Sequence, residues 1–260
     1  MQCKEVTELI ETVYPKSAAL SFDNVGLQAG RSEKEVNRIY LALDATEEVI
    51  CDAIEKKADL LITHHPLIFT PLKAVTDQDF VSRRILKLIR NDVSYYAMHT
   101  NYDVLGMAAL AEKKFELIDA EVLDETAEIN GNAEGIGRIG DRKESMTLQE
   151  CCAVVKDSLG LQHVKVFGDL NSRVQRLAIS PGSGKSAVKP ALEKKADVLI
   201  TGDIGHHDGL DAMEKGLCVI DAGHYGTEYM FIEDMKLFLQ KYCPDLCIET
   251  AEVKFPFQVI

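Results

Sequence analysis

The sequence predicts an α/β protein built as two related lobes from an internal duplication, with mixed or parallel sheets flanked by helices. The first observation behind this is a repeat. Segments 36–63 (VNRIYLALDATEEVICDAIEKKADLLIT) and 174–201 (VQRLAISPGSGKSAVKPALEKKADVLIT) align without a gap at an offset of 138, and 11 of 28 positions are identical, the block EKKAD included. The second is the grammar of each copy: a β-rich stretch, a loop, a helical stretch and an apolar strand ending in Thr. Strand–helix–strand of this length is a βαβ unit, which requires parallel pairing and a right-handed crossover. The third is length: 260 residues suffice for one large domain or two small lobes, and a chain of that size needs no disulfide or metal to fold.

Taken in order, the start (1–11) is mixed in charge and amphipathic, with no apolar core of a secretion signal. The first copy supplies a strand ending in the apolar run 39–43, a helix over 47–57 and a strand over 60–63; a further apolar run covers 94–98. A bridge then carries its own helix and strand signals at 147–159 and 163–167. The second copy repeats the pattern with a helix over 185–195, a strand up to Thr201 and a strand over 217–220. The expected domains are a first lobe over 1–120, a bridge over 121–173 packed with the lobes, and a second lobe over 174–260.

Composition narrows the function. Hydrophobic residues at 46% and charged residues at 27% are globular values, which excludes a disordered chain. The 29 basic against 42 acidic residues leave a net charge of −13 with no basic run, so a nucleic-acid groove is not expected. Apolar runs never approach the ~18 residues a membrane span needs. Seven cysteines, an odd number without CxxC, read as reduced thiols in a cytoplasmic protein.

In open α/β sheets the chemistry sits beyond the carboxyl ends of the strands. Thr63 is followed by His64, His65 and Pro66. The run 94–98 is followed by His99-Thr-Asn-Tyr-Asp103, and 217–220 by Asp221-Ala-Gly-His224-Tyr-Gly-Thr-Glu228. The pairs His99/Asp103 and His224/Glu228 share the spacing i, i+4, which on a helical turn lets imidazole and carboxylate converge on one ion. Adjacent histidines in extended chain point apart, so His64 and His65 suit the two members of a metal pair. His64, His65, Asp103, His224 and Glu228 form a mixed nitrogen and oxygen set suited to two divalent ions per chain, Zn, Fe or Mn rather than Mg or Ca. His99 is an additional strand-end histidine, placed to orient a ligand or to act in catalysis.

Five motifs, FDNVGLQAG (22–30), ITHHP (62–66), HTNYD (99–103), GDIGHH (202–207) and GHYGTE (223–228), closely resemble the NGG-interacting-factor-three-like family, many bacterial members of which carry the name GTP cyclohydrolase I type 2. The match runs in order over nearly the whole chain. The resemblance implies a two-lobed α/β fold with a dinuclear metal site between the lobes, assembled as a toroidal homohexamer. Carried over residue by residue, it implies His64, His65, Asp103, His224 and Glu228 as ligands, with Glu228 bridging both ions. Longer members insert an extra domain between the lobes, for which 121–173 is too short. Asp203 stands where the family pattern has Glu.

Other motifs carry less. GSGKS (182–186) lacks the leading glycine of a phosphate loop, Ile179 standing in its place, although a loop between strand and helix favours anions. GIGRIG (135–140) matches a dinucleotide pattern by letter but has no βαβ context, and reads as a turn into a strand. His206 and His207 either line the pocket as acid/base groups or substrate contacts, or bond to backbone carbonyls. Asp23 and Asn24 border the pocket or form an ordinary turn.

Two functions follow. The first is a dinuclear metal-dependent hydrolase acting on a small molecule, of which the resemblance names hydrolytic opening of a purine imidazole ring, with His206 and His99 as catalytic candidates. The alternative is a metal-binding hexameric scaffold or regulatory protein without turnover. Neither involves a nucleic acid or a membrane.

Overall fold

The computed structural model describes residues 1–258. The chain begins with α1 (Cys3–Val13), β1 (Gly26–Ala29), β2 (Arg38–Ala42), α2 (Glu47–Glu55) and β3 (Leu60–Thr63). It continues through α3 (Phe80–Arg90), β4 (Ser94–Ala97), α4 (Thr100–Tyr102), a π-helical turn at Asp103–Met107 and α5 (Ala108–Lys114). Next come β5 (Ile118–Ile129), β6 (Asn132–Thr147), α6 (Leu148–Ser158), β7 (Lys165–Phe167) and β8 (Arg173–Ser183). The remainder is α7 (Val188–Glu193), β9 (Val198–Gly202), α8 (His206–Glu214), β10 (Cys218–Asp221), α9 (His224–Glu228), α10 (Met230–Tyr242) and β11 (Cys247–Thr250).

Two compact units result: Met1–Tyr102 with Tyr229–Lys254, and Asp103–Glu228 with the described residues from Phe255 on. The division differs from the lobes expected over 1–120 and 174–260. Residues Tyr229–Lys254 join the first unit because β11 pairs parallel with β2, Ile248 opposite Ile39. Residues 121–173 are no separate bridge, since β6 and β7 hydrogen-bond to β8 and β10 in the second sheet.

The first unit holds a five-stranded sheet in the order β1-β4-β3-β2-β11, parallel except for β1. Alternate strand residues Tyr40, Leu61 and Tyr95 pack with Ile50 and Ala53 of α2 and with Ile85 and Leu88 of α3. The intervening residues Ile39, Leu41, Leu60 and Ile62 are buried as well. A strand covered on both faces reads as a continuous apolar run, which is why IYLAL and LLIT lack alternation. Each such side chain contributes roughly 1.5–3 kcal/mol by leaving water.

The second unit holds a six-stranded sheet in the order β5-β6-β8-β9-β10-β7, with β8, β9 and β10 parallel. Leu177, Val198 and Ile220 pack with Leu148, Cys151 and Val155 of α6. On the opposite face Ala178, Leu199 and Val219 pack with Ala191 of α7 and Ala212 of α8. GIGRIG lies inside β6 rather than at a turn: Arg138 pairs with Ile179, and a side chain at Gly135 would begin 1.9 Å from the Asp124 carbonyl oxygen. All seven cysteines are free thiols.

The two copies of the repeat fold alike. Ile39 sits opposite Leu60 in the first sheet, and Leu177 sits opposite Val198 in the second, the same register displaced by the offset of the alignment. The block EKKAD has a local cause in each. Lys57 (φ 57°) and Lys195 (φ 58°) take the left-handed conformation that ends the helix. Asp59 Oδ2 accepts from the Asn37 and Arg38 N–H groups at 2.9 and 3.0 Å, and Asp197 Oδ2 from those of Gln175 and Arg176 at 2.8 Å each. The carboxylate thus fastens the entry of one strand to the start of the next.

Candidate metal centre

In the first unit His64 and His65 follow β3, and His99 follows β4, at the carboxyl ends of two adjacent parallel strands. Their rings lie 4.9 Å (His64–His65), 5.4 Å (His64–His99) and 5.7 Å (His65–His99) apart. One nitrogen from each falls within 4.8 Å of the other two, close enough for a metal ion to be held among them. His64 is buried, its ring packed 5.4 Å from Phe231 and 6.1 Å from Tyr102.

The loop that carries the histidines is anchored from beneath. Thr63 Oγ1 donates to the His65 carbonyl at 2.7 Å, and the Tyr95 hydroxyl lies 2.9 Å from the same oxygen while accepting from the Leu67 N–H at 2.9 Å. Burial pushes the Tyr95 hydroxyl pKa up, so it stays a protonated donor. The His99 turn is fixed by Asn101, whose Oδ1 accepts from the His99 N–H at 3.0 Å and whose Nδ2 donates to the Tyr14 carbonyl at 2.8 Å.

Two of these rings have one nitrogen committed to an aspartate. His65 Nδ1 lies 2.8 Å from Asp44 Oδ1, and His99 Nδ1 lies 2.9 Å from Asp23 Oδ1. Asp23 also accepts at Oδ2 from the Thr100 N–H and hydroxyl, at 2.9 and 2.5 Å. Burial acts to raise its carboxyl, but the bonds from His99 and Thr100 outweigh burial and hold it at about 2, ionised throughout the neutral range.

In the second unit α9 places His224 and Glu228 one turn apart, as the spacing predicts, with Nε2 3.1 Å from Oε2. The other ring nitrogen, Nδ1, lies 3.0 Å from Asp203 Oδ2. Glu228 is buried, and the GSGKS loop makes room for it. Gly182 has φ +72°, and a side chain there would begin 2.4 Å from Glu228 Oε1. The Gly182 N–H donates to Thr227 Oγ1 at 2.9 Å. Asp103, half-buried, opens the π-helical turn, an irregularity frequent at functional sites. His206 stands exposed as the first residue of α8, its ring 5.2 Å from that of His207.

The donor chemistry fits a transition-metal ion. An imidazole whose Nδ1–H is taken by a carboxylate is fixed in tautomer and ring orientation and offers a more basic Nε2, the usual arrangement around a ligated metal. His65, His99 and His224 all have it. His99 joins the His64–His65 cluster itself, beyond the orienting role its sequence position suggested. Asp44 escaped sequence reading; its signal was a position two residues past the end of β2, equivalent to that of His65 past β3.

The model of the family Duf34/NIF3 (NGG1p interacting factor 3) matches residues 1–256 of the chain. A Clostridium perfringens protein named GTP cyclohydrolase 1 type 2 homolog is 35% identical over the full length of both chains. The crystal structure of a Bacillus cereus protein related to NIF3 superposes with a TM-score of 0.92 at 27% identity, covering 100% of this chain and 99% of that one. Reduced HcgD from Methanocaldococcus jannaschii superposes with a TM-score of 0.84 at 32% identity, covering 97% and 98%. With a match of this extent, the chain belongs to the Duf34/NIF3 family.

Proposed function

We propose that the protein is a dinuclear metal-dependent hydrolase of the GTP cyclohydrolase type, with His64, His65, Asp103, His224 and Glu228 holding two Zn, Fe or Mn ions and Glu228 shared between them. The observation that carries this reading is the recurrence of an aspartate on histidine Nδ1, at Asp44–His65 and Asp203–His224, which prepares these imidazoles as metal ligands. The relatives' name supports the reaction class.

Such an ion pair, when bound, supplies a water ionised near neutral pH and a counter-charge for the developing anion. The residues of the chain do the rest. His99, its Nδ1 held by Asp23, presents Nε2 as a proton carrier of fixed orientation. His206, exposed, exchanges protons with solvent. On a purine nucleotide two waters are consumed: one opens the imidazole ring at C8 to a formamide, and the second releases formate. The active assembly is a ring of six copies.

The test is elemental analysis and formate release from GTP by protein reconstituted with Zn, Mn or Fe, beside Glu228→Ala. Two ions per chain, with turnover lost in a folded Glu228→Ala protein, is the expected result. No bound ion overturns the site. Two ions without turnover overturns the cyclohydrolase reading and leaves the metals as a lock on a scaffold.

A further inference from the structure

The second unit contains a cavity of about 810 Å³ at the carboxyl ends of β9 and β10, within the size range of small-molecule sites. Its floor is held by Asp221, which is 6% exposed. The carboxylate accepts from the N–H groups of Asp203, Ile204 and Gly223 at 3.1, 3.0 and 3.0 Å and pairs with Lys165 Nζ at 2.7 Å. These bonds keep Asp203 (φ +52°) and Gly223 (φ +76°) left-handed. A non-glycine residue in that conformation persists where its surroundings over-determine it, a feature of ligand sites.

The walls are apolar and flat. Phe255 and Phe257 lie 6.0 Å apart, and Tyr225 stands 5.1 Å from Phe255. Phe257 Cζ lies 3.8 Å from the point where a side chain at Gly223 would begin. Leu161, from the 160–164 loop, lines the same cavity, its Cδ2 3.2 Å from the point where a side chain at Gly226 would begin. Charge is uneven. Lys165 is neutralised by Asp221 and donates to the Ile204 carbonyl at 2.9 Å. His163 also lies on the lining. Asp203, 59% exposed, commits Oδ2 to His224 Nδ1 and keeps an accepting oxygen for a ligand.

We propose that this cavity binds a flat aromatic ring bearing an amidine-type N–H edge, the ring stacked against Phe255 and Phe257 and the edge bonded to the Asp203 carboxylate. Aromatic walls supply affinity for any flat ring, and the single uncompensated carboxylate selects a donor edge over an acceptor edge. The inference is independent of any metal.

The test uses the full chain stripped of metal with a chelator, at pH 8, with 4-aminobenzamidine as a fluorescent probe; the chain has no Trp to interfere. Saturable binding is expected, weakened about tenfold or more in Asp203→Asn, a residue equally at ease at φ +52°. Phe257→Ala, on an exposed side chain, weakens it as well. The isosteric anion 4-aminobenzoate binds at least about tenfold more weakly than the amidine. Absence of saturable binding, equal affinity of Asp203→Asn or Phe257→Ala with the parent chain, or equal affinity for the benzoate overturns the proposal.

Discussion

Asp44 Oδ1 lies 2.8 Å from His65 Nδ1, an outer carboxylate gripping the histidine that immediately follows the buried His64. The same grip recurs at Asp23–His99 and Asp203–His224. Asp44→Asn is therefore expected to weaken metal binding by about 10–100-fold while the fold survives, as competition against a chromophoric chelator measures directly. Unchanged affinity would remove Asp44 from the site.

Gly182 answers for the position of Glu228. Gly182→Ala puts a methyl group 2.4 Å from Glu228 Oε1 at a backbone φ of +72°. Two separate penalties meet there, left-handed strain and displacement of a buried carboxylate. Denaturant unfolding should show a loss of about 1–3 kcal/mol. A variant as stable as the parent chain would mean that the loop and Glu228 are free to move apart.

The Tyr95 hydroxyl links Thr63, the His65 carbonyl and the Leu67 N–H inside the first unit. Tyr95→Phe leaves the Leu67 N–H without its acceptor in a buried place. A stability loss of about 1–3 kcal/mol is expected by chemical denaturation. A near-zero change would show that the loop finds other partners.

The equivalent helix ends make a paired test. Lys57 and Lys195 are left-handed at φ 57° and 58°. Lys57→Gly and Lys195→Gly should each stabilise the chain by about 0.5–1 kcal/mol, and by similar amounts, since glycine carries no left-handed penalty. Thermal unfolding of the two single variants decides this, and opposite signs would break the equivalence of the repeats.

Thiol reactivity follows burial. Burial pushes the Cys151 thiol up to about 12, with Cys152 and Cys218 adding to it, whereas Cys51 and Cys247 are exposed. Stability linkage is not involved; the native thiolate fraction of Cys151 at pH 8 is simply about 10⁻⁴. A disulfide reagent at pH 8 should label Cys51 and Cys247 first and Cys151 only on unfolding. Mass spectrometry after peptide digestion reads the order, and early labelling of Cys151 would contradict its packing.

The sequence by itself determined whatever rests on neighbours in the chain. The apolar runs at 39–43 and 60–63 and the helix after Thr46 are local, and the two copies announce one βαβ plan. His224 and Glu228 were legible as a pair because an i, i+4 spacing has one meaning on a helix. Tertiary structure decided what depends on pairing between distant segments. That β11 completes the first sheet beside β2 could not be read from 247–250, where a short strand carries no mark of its partner. The same holds for β6 and β7, which a sequence reading leaves in a bridge. It holds again for the aspartates on His65 and His99, 21 and 76 residues away in the chain. Side-chain spacing along a strand is set by its own backbone, but which side chain meets it across the sheet is set by how the whole core closes.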